Sequence, residues 1–121
     1  MRRQHTEVAA LIDAGPHIST HVLDTQLGIP AAGIRVRLER LVADGAPIRA
    51  GSGVTDADGR IARLSDGPLE AGSYRLTFDL HDYSIGFFRT VTLELHVADT
   101  TRNHHVPLLV SPFSITSYRG S

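Results

Sequence analysis

Apolar and polar residues alternate with a period of two through most of the chain from residue 17 onward, the period of strands buried on one face. In the clearest run, Tyr74, Leu76, Phe78 and Leu80 alternate with Ser73, Arg75, Thr77 and Asp79. Val91, Leu93, Leu95 and Val97 alternate likewise with Thr90, Thr92, Glu94 and His96, and Ile34, Val36 and Leu38 with Arg35, Arg37 and Glu39. A strand over residues 17–25 puts Ser19, His21 and Leu23 on one face and Ile18, Thr20 and Val22 on the other. Residues 47–54 read as a weaker strand, diluted by Gly51 and Gly53. Asp56-Ala57-Asp58-Gly59 is a tight turn that delivers Arg60 and Ile61 into another short strand. A final pair, 104–110 and 113–119, flanks a Ser111-Pro112 corner.

About eight short strands at this spacing predict an all-β sandwich or barrel. No long segment of helical period competes; the crossover over 82–87 has room for one helical turn. Residues 1–16 stand apart. Thr6 can cap a short helix to Ala14, ended by Gly15-Pro16, and this stretch is expected to be a partly ordered N-terminal extension to a domain over 17–121.

Composition narrows the functional classes. The 121 residues suffice for one domain with its own core. A net charge of −1 leaves no electrostatic footprint for nucleic acid or an anionic membrane. With no cysteine, neither a disulfide framework nor a thiolate metal site is possible. No apolar run approaches a membrane span and no signal-peptide core follows Met1-Arg2-Arg3, so the expected location is cytoplasmic. Seven histidines are the unusual count. Histidine titrates nearest neutrality, so two converging on one site would be chemically useful.

Strand parity separates them. His104, Val106, Leu108 and Val110 share the face expected to meet the core, which leaves His105 outward with Pro107 and Leu109. His21 is outward on the first strand. A lone outward histidine is most often a surface residue, and parity alone does not make the two meet. Asp56-x-Asp58-Gly59 has the opening of a calcium loop but lacks the later ligands, so it reads as a turn. His17 with His21, or His104 with His105, has no carboxylate or thiolate to complete a metal set.

Three blocks occur in order: Ile18-Ser19-Thr20-His21-Val22-Leu23-Asp24, Asp58-Gly59-Arg60-Ile61, and a terminal stretch from His104-His105-Val106-Pro107-Leu108-Leu109 to Tyr118-Arg119-Gly120-Ser121. Together they resemble the 5-hydroxyisourate hydrolases, the enzymatic branch of the transthyretin-like proteins. The resemblance implies a transthyretin-like, eight-stranded β-sandwich with one short helical turn. It implies hydrolysis of 5-hydroxyisourate to 2-oxo-4-hydroxy-4-carboxy-5-ureidoimidazoline in urate catabolism, with no cofactor and no metal. It places His21, His105, Arg60 and Ser121 in the catalytic set, and Tyr118, Arg119 and Gly120 beside His21 and Arg60 in substrate binding. It also implies a homotetramer with sites at the dimer–dimer interface. The alternative is a carrier of the same fold that binds a small molecule without turning it over; hormone carriers lack this polar set. Departures from the family pattern are local: His104 where relatives often carry Tyr, Ile115 for a common aromatic, and Arg89 where Pro is frequent.

Overall fold

The computed structural model describes residues 15–83 and 86–121, and among them it is all-β. The strands are β1 (Ile18–Asp24), β2 (Ile29–Pro30), β3 (Arg35–Arg40), β4 (Ile48–Val54), β5 (Arg60–Ile61), β6 (Gly72–Asp79), β7 (Thr90–Val97), β8 (His104–Ser111) and β9 (Ser114–Ser117). The expected helix over 6–14 lies outside the described residues, as do residues 84 and 85 of the crossover expected to hold a helical turn; 81–83 form a turn.

One sheet runs β4-β3-β6-β7, antiparallel throughout. The other is organised on β1, whose two edges are used differently. One edge pairs in parallel with β8, which continues antiparallel into β9. The other is shared by two short segments, β5 opposite Thr20 and His21 and β2 opposite Leu23 and Asp24. β2 falls within residues 26–33, where Gly28, Pro30 and Gly33 signal a loop. It escaped the pattern because two residues carry no period and Pro30 has no N–H to give a ladder.

The sheets close on a core that follows from parity. Ile18, Val22, Leu108 and Val110 from one sheet meet Leu38, Leu76 and Phe78 from the other, all fully buried. Thr20, 1% exposed, avoids an unmet hydroxyl by donating to the carbonyl of Val106 at 2.6 Å, which stitches β1 to β8. His104 faces inward as expected, its Nε2–H donating to the carbonyl of Asp99 at 2.7 Å. β7 departs from clean burial: Val91 and Val97 are buried, but Leu93 and Leu95 only partly. The strand is at a sheet edge, and those two side chains line an open groove beside β9.

At the far end of β1, the buried Asp24 carboxylate accepts the backbone N–H groups of Gln26 and Leu27 and the hydroxyl of Tyr83. Burial works against its charge, but these donors outweigh it and hold the carboxyl below its usual range. The Tyr83 hydroxyl is pushed up to about 12 by burial and by Asp24. The contact ties the β6–β7 crossover to the sheet that carries the histidines.

Candidate active site

The outward face of the β1 sheet brings the first two motif blocks together. His21 sits directly opposite Arg60 in the antiparallel β1–β5 pair, so both side chains share that face. Across the parallel pair, Ser19 is opposite His105 and His21 opposite Pro107. His105 therefore lies one strand over and two residues along from His21, on the order of 8 Å between Cα atoms.

The short β5 exists because of the turn before it. Asp56 Oδ1 accepts the N–H groups of Asp58 and Arg60, each at 2.9 Å, closing an Asx-type turn. Gly59 takes φ +76°, and a Cβ there would come within 2.4 Å of the Val22 carbonyl oxygen. Only glycine lets this turn lie against β1, where its own carbonyl accepts from Val22 at 2.7 Å. The same turn aims the Asp58 carbonyl at His21, whose Nε2 donates to it at 2.8 Å. A carbonyl can only accept, so Nε2 carries the hydrogen and Nδ1 is the open nitrogen. One tetrapeptide thus presents Arg60 and sets the tautomer of His21.

His105 is held on three sides. Its Nδ1 is hydrogen-bonded to the Ser19 hydroxyl at 2.8 Å. Its carbonyl accepts the N–H of Gly120 at 2.7 Å, in an isolated bridge beyond the end of β9. Gly120 also packs on the ring: a Cβ there would meet His105 Cδ2 at 2.8 Å. Nε2 is left as the open nitrogen. Burial, with the nearby charges of His21 and Arg60, holds the pKa of His105 below the ordinary value of 6.5. The imidazole is therefore neutral at neutral pH.

The terminal block divides by parity. The β8–β9 register, Leu108 opposite Ser117, continues to Tyr118 opposite Pro107 and Gly120 opposite His105. Tyr118 is on the histidine face and 57% exposed. Arg119 falls on the other face. There it lines, with His104, Val106, Leu93 and Leu95, the groove of about 460 Å3 at the β7 edge. Ser121 is exposed past the bridge. So His21, Arg60, His105 and Gly120 come together within one subunit, whereas Tyr118, on their face by register, also borders the groove that Arg119 lines. Two contributors were not singled out from the sequence: Ser19 and the Asp58 carbonyl. Ser19 could have been found, since it shares the parity of His21. Among the described residues no three His, Asp or Glu side chains converge as metal ligands, and no helix is long and apolar enough to cross a membrane.

The arrangement offers two imidazoles, each with one nitrogen anchored and one open, beside a guanidinium. That set can move protons on and off a substrate while holding a planar polar group bidentately.

The chain is similar to known proteins in sequence and in fold. A 5-hydroxyisourate hydrolase of Deinococcus radiodurans is 43% identical over 117 residues, covering 88% of this chain and 97% of its own. The structure of Klebsiella pneumoniae 5-hydroxyisourate hydrolase superposes with a TM-score of 0.72 at 35% identity, covering 86% of this chain and 98% of that one. Sea bream transthyretin in complex with thyroxine superposes with a TM-score of 0.77 at 30% identity, covering 85% of this chain and 93% of its own. The model of the HIUase/Transthyretin family matches residues 18–120. With the family model over residues 18–120 and these relatives in agreement, the chain belongs to the HIUase/Transthyretin family.

Proposed function

We propose that the protein hydrolyses 5-hydroxyisourate to 2-oxo-4-hydroxy-4-carboxy-5-ureidoimidazoline without a metal or organic cofactor. The observation that carries this reading is the single row of Arg60, His21 and His105 on one sheet face, with both imidazoles anchored through one nitrogen. Water's oxygen bonds to a ring acyl carbon as one imidazole takes its proton. The ring C–N bond breaks, and the nitrogen receives a proton from the second histidine or from water. Arg60 grips the planar carbonyl and urea-like edge and holds the charge that develops on oxygen. Tyr118 supplies a wall and a hydroxyl on the same face. Ser121 would act from beyond Gly120, and Arg119 would reach substrate only from a neighbouring subunit. A carrier has no use for a depressed, tautomer-locked histidine beside a guanidinium, which favours the hydrolase over the binding module. The assay is the decay of freshly generated 5-hydroxyisourate, expected to accelerate with the protein and to survive exhaustive chelation. Decay at the uncatalysed rate sinks the proposal, and loss on chelation with recovery on metal addition sinks its metal-free form.

The proposal includes a homotetramer that covers the histidine face. Leu23 and Leu109 lie on that face beside the histidines, and Ile29 on β2 and Leu27 and Phe113 on loops are exposed, Phe113 at 82%. Apolar groups gathered at the rim of an open polar row suit a covered surface. Light scattering is expected to give four subunits; a fully active monomer excludes a shared site.

Gly120 supplies a sharper test. A methyl group there would strike the His105 ring, whose opposite side Ser19 already holds, so the ring has to move. Gly120→Ala is expected to lower kcat by about tenfold with little change in thermal melt, since a shift of this kind removes about one well-placed hydrogen bond. Gly67→Ala, where an added Cβ meets nothing within 4 Å, is the control and is expected to be neutral. Equal kcat for the two variants would show that the packing of Gly120 on His105 has no bearing on turnover.

A further inference from the structure

We infer that Ser19 is a positioning residue for His105: its hydroxyl accepts the Nδ1–H and so leaves the Nε2 lone pair facing the substrate as the general base. The inference rests on the hydrolase reading for the word base, but the contact itself does not depend on it.

The placement is set by the fold. Ser19 and His105 are 86 residues apart in sequence and directly opposite in the parallel β1–β8 ladder, on the same face, with Oγ and Nδ1 at 2.8 Å. The neighbours leave the ring few alternatives. Gly120 lies on the Cδ2 side, so close that an added Cβ would stand 2.8 Å from that atom. The direction of the bond follows from the chemistry asked of the site. An imidazole that takes a proton at Nε2 must carry its hydrogen on Nδ1 beforehand, and the imidazolium that results donates from Nδ1 in any case. A hydroxyl oxygen accepting from Nδ1 serves both states without rearrangement. A carboxylate in that place, the usual partner of a catalytic histidine, would hold the imidazolium strongly and raise its pKa. Ser19 orients without charge. His105 is then kept neutral beside Arg60 and His21 and still has somewhere to place its second hydrogen. His21 is oriented in the complementary sense, with Nε2–H on the Asp58 carbonyl and Nδ1 open. The two rings therefore meet the substrate through different nitrogens.

The test combines histidine side-chain 15N NMR on the full-length protein near pH 7.5 with steady-state kinetics. Wild-type His105 is expected as the Nδ1–H tautomer. In Ser19→Ala the ring is expected to lose that fixed tautomer, and kcat to fall by about tenfold, the worth of about one hydrogen bond, with KM nearly unchanged. Ser19→Thr keeps the hydroxyl on a residue that suits a strand, and is expected to restore both tautomer and kcat. Ser19→Asp is expected to move the acidic limb of the kcat/KM profile upward by about one pH unit or more. A merely structural serine would not move that limb. An Nε2–H tautomer in the wild type overturns the inference, as does Ser19→Ala with tautomer and kcat intact. The tautomer needs no turnover to be read. An inactive wild type whose Nδ1–H tautomer is lost in Ser19→Ala would refute the hydrolase and support the positioning by Ser19.

Discussion

Replacing His105 with Asn is expected to lower kcat by ~100-fold or more while the protein melts as the wild type does. Asn fits the half-buried position and can still meet Ser19, but it has no proton equilibrium near neutrality, so a general base is lost while packing survives. His21→Asn is expected to fall by a similar factor, because the Asp58 carbonyl can still be met by an amide N–H while the open imidazole nitrogen is gone. The pH profile adds a second reading. Burial, His21 and Arg60 all push His105 toward its neutral form, so its pKa lies below 6.5. The base is competent above that pKa and lost below it. Activity is therefore expected to hold as pH falls through 6.5 and to decline only at lower pH. A folded His105→Asn protein with near wild-type kcat would remove this residue from the mechanism.

Arg60→Lys is expected to lower kcat/KM by about 100-fold, in line with the loss of a preorganised donor at a developing oxyanion. The argument turns on shape. Lysine keeps the positive charge, but its ammonium cannot reproduce the planar two-pronged grip of a guanidinium. Arg60 stands opposite His21 on a two-residue strand, with its backbone fixed by Asp56 at both the turn and the strand start, so the grip is aimed before substrate arrives. Because the charge is kept, the acidic limb set by His105 is expected to stay where it is in Arg60→Lys. In Arg60→Gln that limb is expected to move upward, since one of the charges opposing protonation of His105 has gone. Unchanged kcat and KM in Arg60→Lys would leave the clamp without support.

Local alternation carried much of this structure. β3, β6, β7 and β8 were legible because each has one face on a core, and a period of two is written directly into neighbouring residues. The same parity separated His105 from His104, and the structure keeps them apart: one half-buried on the outer face, the other buried and bonded to the Asp99 carbonyl. Asp56 to Gly59 was legible as a turn because Asx chemistry and a left-handed glycine act within a few residues.

Pairing was not legible, because it joins segments far apart in the chain with no local trace. The parallel β1–β8 ladder decides that Ser19 meets His105 and that His21 lies diagonal to it, and its register could not be read from either strand alone. β2 exists only because β1 has a free stretch of edge beyond β5. Arg119 illustrates the limit. In the sequence it is one of four terminal residues grouped by resemblance, and only the continued β8–β9 register puts it on the face opposite Gly120, in the groove at β7. By itself, then, the sequence determined the longer strands, the face each of their side chains takes, and which side chains could carry the chemistry, because those depend on near neighbours. The tertiary structure decided which of them touch and which nitrogen of each histidine is open, because those depend on contacts that only the closed sandwich makes.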